Sequence, residues 1–332
     1  MRSARYKIDS HSFTAVYHCI SKTVDERRID EAAKEVLRKQ LWQVADFCGV
    51  NVLTYAIMSN HIHVLVRVPV RTEVPDKELL RRYQVLHPKP TQFQTASIES
   101  LAEMLKAGGP RADAWRKQQL ALMNDVSPFM KLLKQRFSIW FNRNHNRAGT
   151  LWSERFKSVL VEGRENVLTT MAAYIDLNPV RAGIVDDPKD YRFCGYAEAV
   201  SGNKTARAGI SAITTGNVNE TWRVAHDAYR MRLFTAGAVT RAGKAAITPA
   251  ALEKVMEQKG KLPIAEVLRC RMRDFTYGVV LGSKIYVTKH LADYQRRTGR
   301  RRRNADTVRA FPPVADWGDM VAMRGSRKNI FG

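Results

Sequence analysis

Residues 51–68, NVLTYAIMSNHIHVLVRV, contain two β-branched and aromatic runs on either side of the turn-prone pair Ser59-Asn60. This pattern predicts a β-hairpin. Side chains two residues apart on a strand point to the same face, so His61 and His63 are expected to project together. Two imidazoles on one rigid face can hold a metal ion. The simpler alternative is that both histidines are polar residues of a half-exposed strand.

The segments around the hairpin alternate between strand and helix patterns. The sequence predicts a strand at 13–20, a helix at 25–47, a helix opened by Ser127-Pro128, a strand at 158–161 and a helix at 166–177. The resulting order, β-α-β-β-insertion-α-β-α, predicts an α+β fold. We expect a ferredoxin-like antiparallel sheet with helices packed on one face.

The remaining segments differ in composition from this domain. Prolines and glycines interrupt residues 70–126, which predicts a helical insertion. Residues 201–219, SGNKTARAGISAITTGNVN, are rich in small polar residues and predict a linker. Residues 220–332 contain the helical patterns 248–259 and 262–271, open to interpretation as a helix-turn-helix, and the basic run 296–303. We therefore expect a domain at 1–200, a linker, and a basic C-terminal region that adds DNA contacts.

Composition narrows the class of partner. The chain has 332 residues, a formal net charge of +23 and a hydrophobic share of 45%. Such a share is typical of a globular protein, and such a charge attracts polyanions, so nucleic acid is the first expected partner. The sequence has no long apolar run and no signal-peptide pattern, which predicts no membrane partner and a cytoplasmic location. The four cysteines form no CxxC pair, and we expect reduced structural thiols.

A second motif lies at 174–182, YIDLNPVRA. Tyr174 and Asn178 are four residues apart on the predicted helix and so share one face. If this helix packs near the histidine pair, the phenol is a candidate nucleophile and the amide oxygen a candidate third metal ligand. The alternative is that Tyr174 buries its ring and Asn178 caps the helix end.

Together, the histidine pair, the tyrosine and the basic charge predict phosphodiester chemistry on nucleic acid. A divalent cation held by His61, His63 and Asn178 would polarise a phosphate for in-line attack. Attack by Tyr174 would give a covalent phosphotyrosyl intermediate, which allows the strand to be rejoined without ATP. Mixed nitrogen and oxygen ligands favour Mg²⁺ or Mn²⁺.

These residues resemble a known family. His61-Ile62-His63 looks like the HUH motif of single-tyrosine transposases, which are insertion-sequence-200-like proteins. The segments 127–137, 149–152 (GTLW), 155–158 (RFKS) and 174–183 (YIDLNPVRAG) resemble its REP-associated branch. The resemblance runs from about residue 10 to 200, with the insertion as the main departure. It implies metal-dependent cleavage and rejoining of single-stranded or hairpin DNA through a 5′-phosphotyrosine.

By this resemblance His61 and His63 are metal ligands and Tyr174 is the nucleophile. Mobile relatives often carry glutamine at the position of Asn178. Basic residues and an aromatic residue near these motifs are candidates for DNA contact, the aromatic by stacking on bases. They are Lys134, Arg136, Arg143, Arg147, Trp152, Arg155, Lys157 and Arg181.

Two other interpretations of the whole protein remain. The first is a DNA- or RNA-binding regulator that keeps the fold without cleaving its ligand. The second is a replication initiator or conjugative relaxase, which would share the chemistry but commonly has more metal-site histidines or a tyrosine pair. The sequence also leaves open whether the protein acts as a monomer or as a homodimer that shares active sites.

Overall fold

Within the residues that the structure describes, one seven-stranded sheet organises the protein. The structure is a computed structural model that describes residues 5–88, 97–214, 221–238, 274–298, 308–310 and 319–324. The strands are β1 (Ala15–Lys22), β2 (Asn51–Ile57), β3 (His61–Val68), β4 (Lys157–Val161), β5 (Gly278–Ser283), β6 (Val308–Ala310) and β7 (Met320–Arg324). Their order is β2-β3-β1-β4-β5-β7-β6. Every neighbouring pair is antiparallel except β4 and β5, which are parallel.

The helices occupy the intervals between strands. They are α1 (Glu31–Cys48), α2 (Asp76–Leu86), α3 (Ile98–Ala107), α4 (Pro110–Leu120), α5 (Val126–Asn144), α6 (Glu165–Asp176), α7 (Asn178–Arg181), α8 (Gly195–Val200), α9 (Lys204–Thr214), α10 (Trp222–Ala238), α11 (Asp274–Tyr277) and α12 (Lys284–Thr298). None of these described helices combines the length and the apolar character needed to span a bilayer.

Local capping explains where the two long helices begin. The Asp30 carboxylate accepts a hydrogen bond from the Ala33 amide at 2.7 Å, so α1 starts later than the apolar pattern predicted. The helix predicted to open at Ser127 is capped instead by Asp125, which accepts from the Ser127 amide at 2.7 Å. At its other end α1 stops at Gly49, whose φ of 61° lies in the left-handed region that favours glycine.

The α+β prediction and the predicted hairpin are confirmed. β2 and β3 pair antiparallel, with Ala56 opposite His63. Helices cover both faces of the sheet, whereas the sequence predicted one. Tyr55 meets Trp42 of α1 edge to face at 6.0 Å, while the adjacent Thr54, on the opposite face, donates to Asp176 of α6. The strands are accordingly buried on both faces.

The insertion and the C-terminal region both pack onto this core. The insertion is helical as predicted, and Arg81 of α2 makes a bidentate ion pair with Asp46 of α1. The interval predicted as a linker is helical at α9, because Ala206, Ile210 and Ile213 recur at helical spacing and are buried. β5 extends the sheet beside β4, so this part of the C-terminal region shares the same core.

Two other predictions about the C-terminal region concern residues that the structure does not describe. The helix pair at 248–271 lies outside the described residues, as does most of the basic run 296–303.

Candidate active site

The histidine pair begins the strand β3. In the register with β1, His61 lies opposite Lys22 and His63 opposite Ile20, so all four side chains share one face of the sheet. The two imidazole centroids are 5.1 Å apart with their planes at 82°. His61 is half-buried, but His63 is only 3% exposed. His63 is thus more buried than a residue of a half-exposed strand, because the aromatic rings of Tyr174 and Phe275 lie over this part of the sheet.

Each imidazole of the pair is held through its Nδ1 atom. His61 Nδ1 lies 2.7 Å from Oδ1 of Asn60, and His63 Nδ1 lies 2.8 Å from Nε2 of His18. His18 comes from β1, is fully buried, and stacks on His63 with centroids 5.1 Å apart. The other ring nitrogen of His18, Nδ1, lies 2.8 Å from the Phe275 carbonyl oxygen. The site is therefore a chain of hydrogen bonds as well as a pair of candidate ligands.

Burial keeps the inner imidazoles neutral. Loss of hydration lowers the pKa of His18 to about 4. The pKa of His63 is lowered well below its usual value, mainly by the same loss of hydration and to a smaller extent by the nearby His18 and His61. Neutral imidazole is the form that ligates metal ions.

Tyr174 lies directly beside the histidines because α6 packs on this face of the sheet. Its ring centroid is 6.1 Å from that of His63 and 6.2 Å from that of His18. Phe275 meets the Tyr174 ring edge to face, with 5.0 Å between ring centroids, and Tyr174 is 8% exposed. The Arg181 guanidinium carbon is 4.0 Å from the ring centroid. One chain thus brings together the Tyr174 phenol, the Arg181 guanidinium and the two histidines that are candidate metal ligands.

Asn178 occupies the end of α6 as a cap. Its Nδ2 donates to the carbonyl oxygens of Tyr174 at 3.0 Å and Ile175 at 3.1 Å. This is the alternative that the sequence left open, and it fixes the Asn178 side chain next to Tyr174. The amide oxygen Oδ1 is the atom that would serve as a metal ligand.

Asp176 anchors α6 from the side opposite Tyr174. The fully buried carboxylate accepts from Thr54 Oγ1 at 2.8 Å, from Tyr229 Oη at 2.5 Å and from the Tyr196 amide at 3.3 Å. Burial raises its pKa to about 7, and these hydrogen bonds act in the opposite direction. The position of α6, and with it that of Tyr174, therefore depends on contacts from β2, α8 and α10.

Two of the predicted DNA-contact residues lie on the face of the histidines. Arg181 donates to the Tyr174 carbonyl at 3.0 Å. Lys157 is paired with Ile20, which is also the partner of His63, so the three residues form one row across β4, β1 and β3. Strands are about 4.8 Å apart, which puts the Lys157 backbone about 10 Å from that of His63.

The other predicted basic contacts lie on other elements of the fold. Lys134, Arg136 and Arg143 lie on α5, which packs on α1 over the opposite face. The Lys134 ammonium donates to the Glu154 carbonyl at 2.7 Å, and burial lowers its pKa to about 8. Arg136 lies near His87 of the insertion, and Arg143 is exposed.

The loop after α5 carries the remaining candidates. Arg147 donates to the side chain of Asn142 at 3.2 Å and so braces this loop, while Arg155 is exposed. Trp152 is 7% exposed, and its indole donates to the Lys134 carbonyl at 3.1 Å. The ring packs near Phe137, and the role of Trp152 in stacking on unpaired bases stays a prediction.

The donor set fits a divalent cation in its chemistry. Within the described residues, no group of three or more His, Cys, Asp or Glu side chains could hold a metal ion. A site there would need the two imidazoles of His61 and His63 with an oxygen from another source. The sequence predicts the Asn178 amide as this source, and two neutral imidazoles with an amide would suit Mn²⁺ better than Mg²⁺.

Three residues of the site were not among the candidates predicted from the sequence: His18, Lys22 and Phe275. His18 and Lys22 alternate with Ile20 on β1, and this periodicity is visible in the sequence. What the sequence lacked was the register that brings them opposite β3. Phe275 is 257 positions from His18, so no local pattern could have assigned it to this site.

Comparison with known proteins agrees with the motif. Residues 11–77 match the family described as "Transposase IS200 like", a part of the chain that contains His61 and His63 but not Tyr174. Among solved structures, the chain is similar to the "Structure of the REP associates tyrosine transposase bound to a REP hairpin". The identity is 13%, the TM-score is 0.38, and the match covers 61% of this chain and 86% of that chain. No curated protein matches the chain. The predicted resemblance to IS200-like transposases is confirmed over residues 11–77.

Proposed function

We propose that this protein is a metal-dependent endonuclease and strand transferase for single-stranded DNA. The observation that carries the proposal is the proximity of Tyr174 to His63, with 6.1 Å between ring centroids, in a chain whose residues 11–77 match IS200-like transposases. Both residues come from one chain, which supports a site that does not borrow its tyrosine from a second subunit.

Tyr174 is the nucleophile in this proposal. Its hydroxyl oxygen attacks a phosphorus atom of the DNA backbone, and the bond from phosphorus to the 3′ oxygen breaks. The phenol gives up its proton, and the departing 3′ oxygen takes one up, so the products are a 5′-phosphotyrosine and a strand with a free 3′-hydroxyl. Attack by a 3′-hydroxyl on the phosphotyrosine reverses the step and joins two strands. Arg181, 4.0 Å from the phenol ring, adds positive charge where the phosphate must approach.

His61, His63 and Asn178 would hold the divalent cation, Mg²⁺ or Mn²⁺. Such a cation supplies Lewis-acid polarisation of the phosphate when bound. The chain itself contributes orientation: Asn178 is fixed by two hydrogen bonds to the end of α6, and His63 by its bond to His18. Their fixed positions lower the entropy lost when the reacting groups are aligned.

Hairpin DNA with a single-stranded flank is the substrate class we propose. The motif resemblance to the REP-associated branch supports the hairpin, and the net charge of +23 supports a polyanionic partner. Lys157 and Arg181 are the proposed phosphate contacts nearest the nucleophile. The basic residues of α5 and of the C-terminal region would extend the DNA path away from the site.

The test uses full-length protein, Mn²⁺ and a hairpin oligonucleotide with single-stranded flanks. DNA labelled at its 3′ end should yield a covalent protein–DNA adduct, whereas DNA labelled at its 5′ end should yield only a free fragment. The Tyr174→Phe protein should give no adduct. Tyr83→Phe is the matched control, because it removes a hydroxyl from a half-buried tyrosine of the insertion and should leave the adduct intact.

An adduct from the Tyr174→Phe protein would assign the nucleophile elsewhere. An adduct that carries the 5′ label would reverse the proposed polarity. Adduct formation that persists in excess chelator would remove the cation from the proposal.

One observation favours a second candidate function, a DNA- or RNA-binding regulator that does not cleave. Tyr174 is 8% exposed and His63 3% exposed, so neither side chain is open to a polymer in this conformation. The regulator predicts hairpin binding that chelator does not alter, with no adduct from wild-type protein in Mn²⁺. The endonuclease predicts the adduct, so the same gel separates the two functions.

A further inference from the structure

The inner histidines form a hydrogen-bonded chain whose direction can be deduced. It runs from the Phe275 carbonyl through His18 to His63, with 2.8 Å at each step. A carbonyl oxygen can only accept a hydrogen bond, so Nδ1 of His18 must carry the proton that faces it.

His18 must also be neutral. It is fully buried, and its two hydrogen-bond partners are a carbonyl and an imidazole, neither of which carries negative charge. An imidazolium in that place would be a buried charge without compensation, which is strongly unfavourable. A neutral ring protonated at Nδ1 has a lone pair at Nε2, so Nε2 accepts from His63.

The consequence for His63 follows directly. Its Nδ1 must carry a proton and donate to His18, so the lone pair of the ring is on Nε2. In water a free imidazole of histidine favours the opposite tautomer, with the proton on Nε2. The hydrogen-bonded chain therefore selects the less common tautomer of a candidate metal ligand.

We propose that the Phe275 carbonyl and His18 form a tautomer lock that keeps the Nε2 lone pair of His63 available to a cation. The metal-binding part rests on the proposed function, whereas the tautomer part does not. His18 is a positioning residue, because it acts only through His63. Phe275 belongs to α11, so a carbonyl of the C-terminal region completes an arrangement built on β1 and β3.

The first test reads the tautomers without any activity assay. Full-length protein labelled with ¹⁵N in its histidine rings is examined by long-range ¹H–¹⁵N spectra at pH 7 without metal. The eight histidines are assigned by single His→Gln variants. We expect neutral rings at both positions, each protonated on Nδ1. A spectrum with the proton of His63 on Nε2, or with a charged His18 ring, would overturn the lock.

The second test measures Mn²⁺ affinity from the free-ion electron paramagnetic resonance signal. His18→Phe keeps a planar ring but removes the acceptor, and we expect affinity to fall by about 10- to 100-fold, as for other outer-shell partners of metal ligands. His18→Gln can offer its amide oxygen to His63 Nδ1, and we expect it to restore both the tautomer and most of the affinity. The control His87→Phe, in the insertion, should leave affinity unchanged.

The two tests separate this inference from the proposed function. Wild-type protein with the expected tautomers but neither Mn²⁺ binding nor adduct would keep the lock and refute the endonuclease. Adduct formation with His63 protonated on Nε2 would keep the endonuclease and refute the lock. Equal affinity in the His18→Phe and wild-type proteins would also refute it. If the His18→Phe protein does not fold, the wild-type spectra and the Mn²⁺ affinity of the His18→Gln protein still test the tautomer lock.

Discussion

Replacement of Gly209 by alanine should destabilise the protein, although alanine favours helix. Gly209 lies in α9, where the helix crosses the backbone of β2. A Cβ atom there would lie 2.5 Å from the Leu53 carbonyl oxygen and 2.8 Å from that of Val52. These obstacles are backbone atoms, so no side-chain rotation can remove the overlap.

The size of the effect is a difference between two opposing terms. Ordinary helix propensity would stabilise Gly209→Ala by about 1 kcal/mol. Relief of the overlap requires α9 to move away from β2 by about 0.5–1 Å, and overpacking of this kind typically costs about 1–3 kcal/mol. The shift also loosens the buried contacts of Ile210 and Ile213. We expect a net loss of up to about 2 kcal/mol in the free energy of unfolding.

Urea unfolding followed by circular dichroism measures this loss. Gly163→Ala is the matched control, because a Cβ there meets nothing within 4 Å and its φ is not in the left-handed region. We expect the control to be unchanged or stabilised by up to about 1 kcal/mol. If Gly209→Ala is as stable as that control, α9 does not pack on β2, and residues 201–219 would be a linker after all.

The other predictions concern a buried acid and the proposed DNA path. The folded-state pKa of Asp176, about 7, exceeds its ordinary value of 3.8, so this group makes the folded protein less stable as pH rises through that window. From pH 5 to 8, the free energy of unfolding should fall by about 2 kcal/mol more in wild-type protein than in Asp176→Asn. Lys157→Ala should weaken single-stranded DNA binding and reduce its salt slope by about 0.7, the value for one phosphate contact. Trp152→Phe should leave DNA affinity unchanged while costing about 1 kcal/mol of stability through its lost hydrogen bond to the Lys134 carbonyl.

Each of these predictions has a contrary result. Parallel pH profiles for Asp176→Asn and wild type would mean that the carboxyl is ionised in the folded protein throughout. An unchanged salt slope in Lys157→Ala would remove this lysine from the DNA path. A loss of affinity in Trp152→Phe at unchanged stability would support the predicted stacking role.

Local patterns in the sequence predicted the part of the site that depends on periodicity. Alternation at 51–68 was enough for the hairpin and for the shared face of His61 and His63. Helical spacing was enough to put Tyr174 and Asn178 one turn apart, although the cap role of Asn178 required coordinates.

Long-range contacts set the rest, and no local pattern encodes them. The register of β1 against β3 brings His18 to His63, and the burial of Trp152 depends on α5 packing beside it. Residues 204–214 have a linker-like composition, yet small residues are what close packing against a strand requires. A run of small residues is therefore typical both of a linker and of a helix packed closely on a strand. Composition alone does not distinguish the two, because the difference lies in the surface that the segment contacts.

The bond between His18 and the Phe275 carbonyl also has a consequence for synthesis of the protein. The two residues are 257 positions apart, and ribosomes add about 5–20 residues per second. About 13–50 s therefore pass between the synthesis of His18 in β1 and that of Phe275, whose carbonyl accepts its hydrogen bond. A nascent chain still attached to the ribosome before residue 275 emerges would lack this hydrogen bond, so the surroundings of His18 would be completed late in translation.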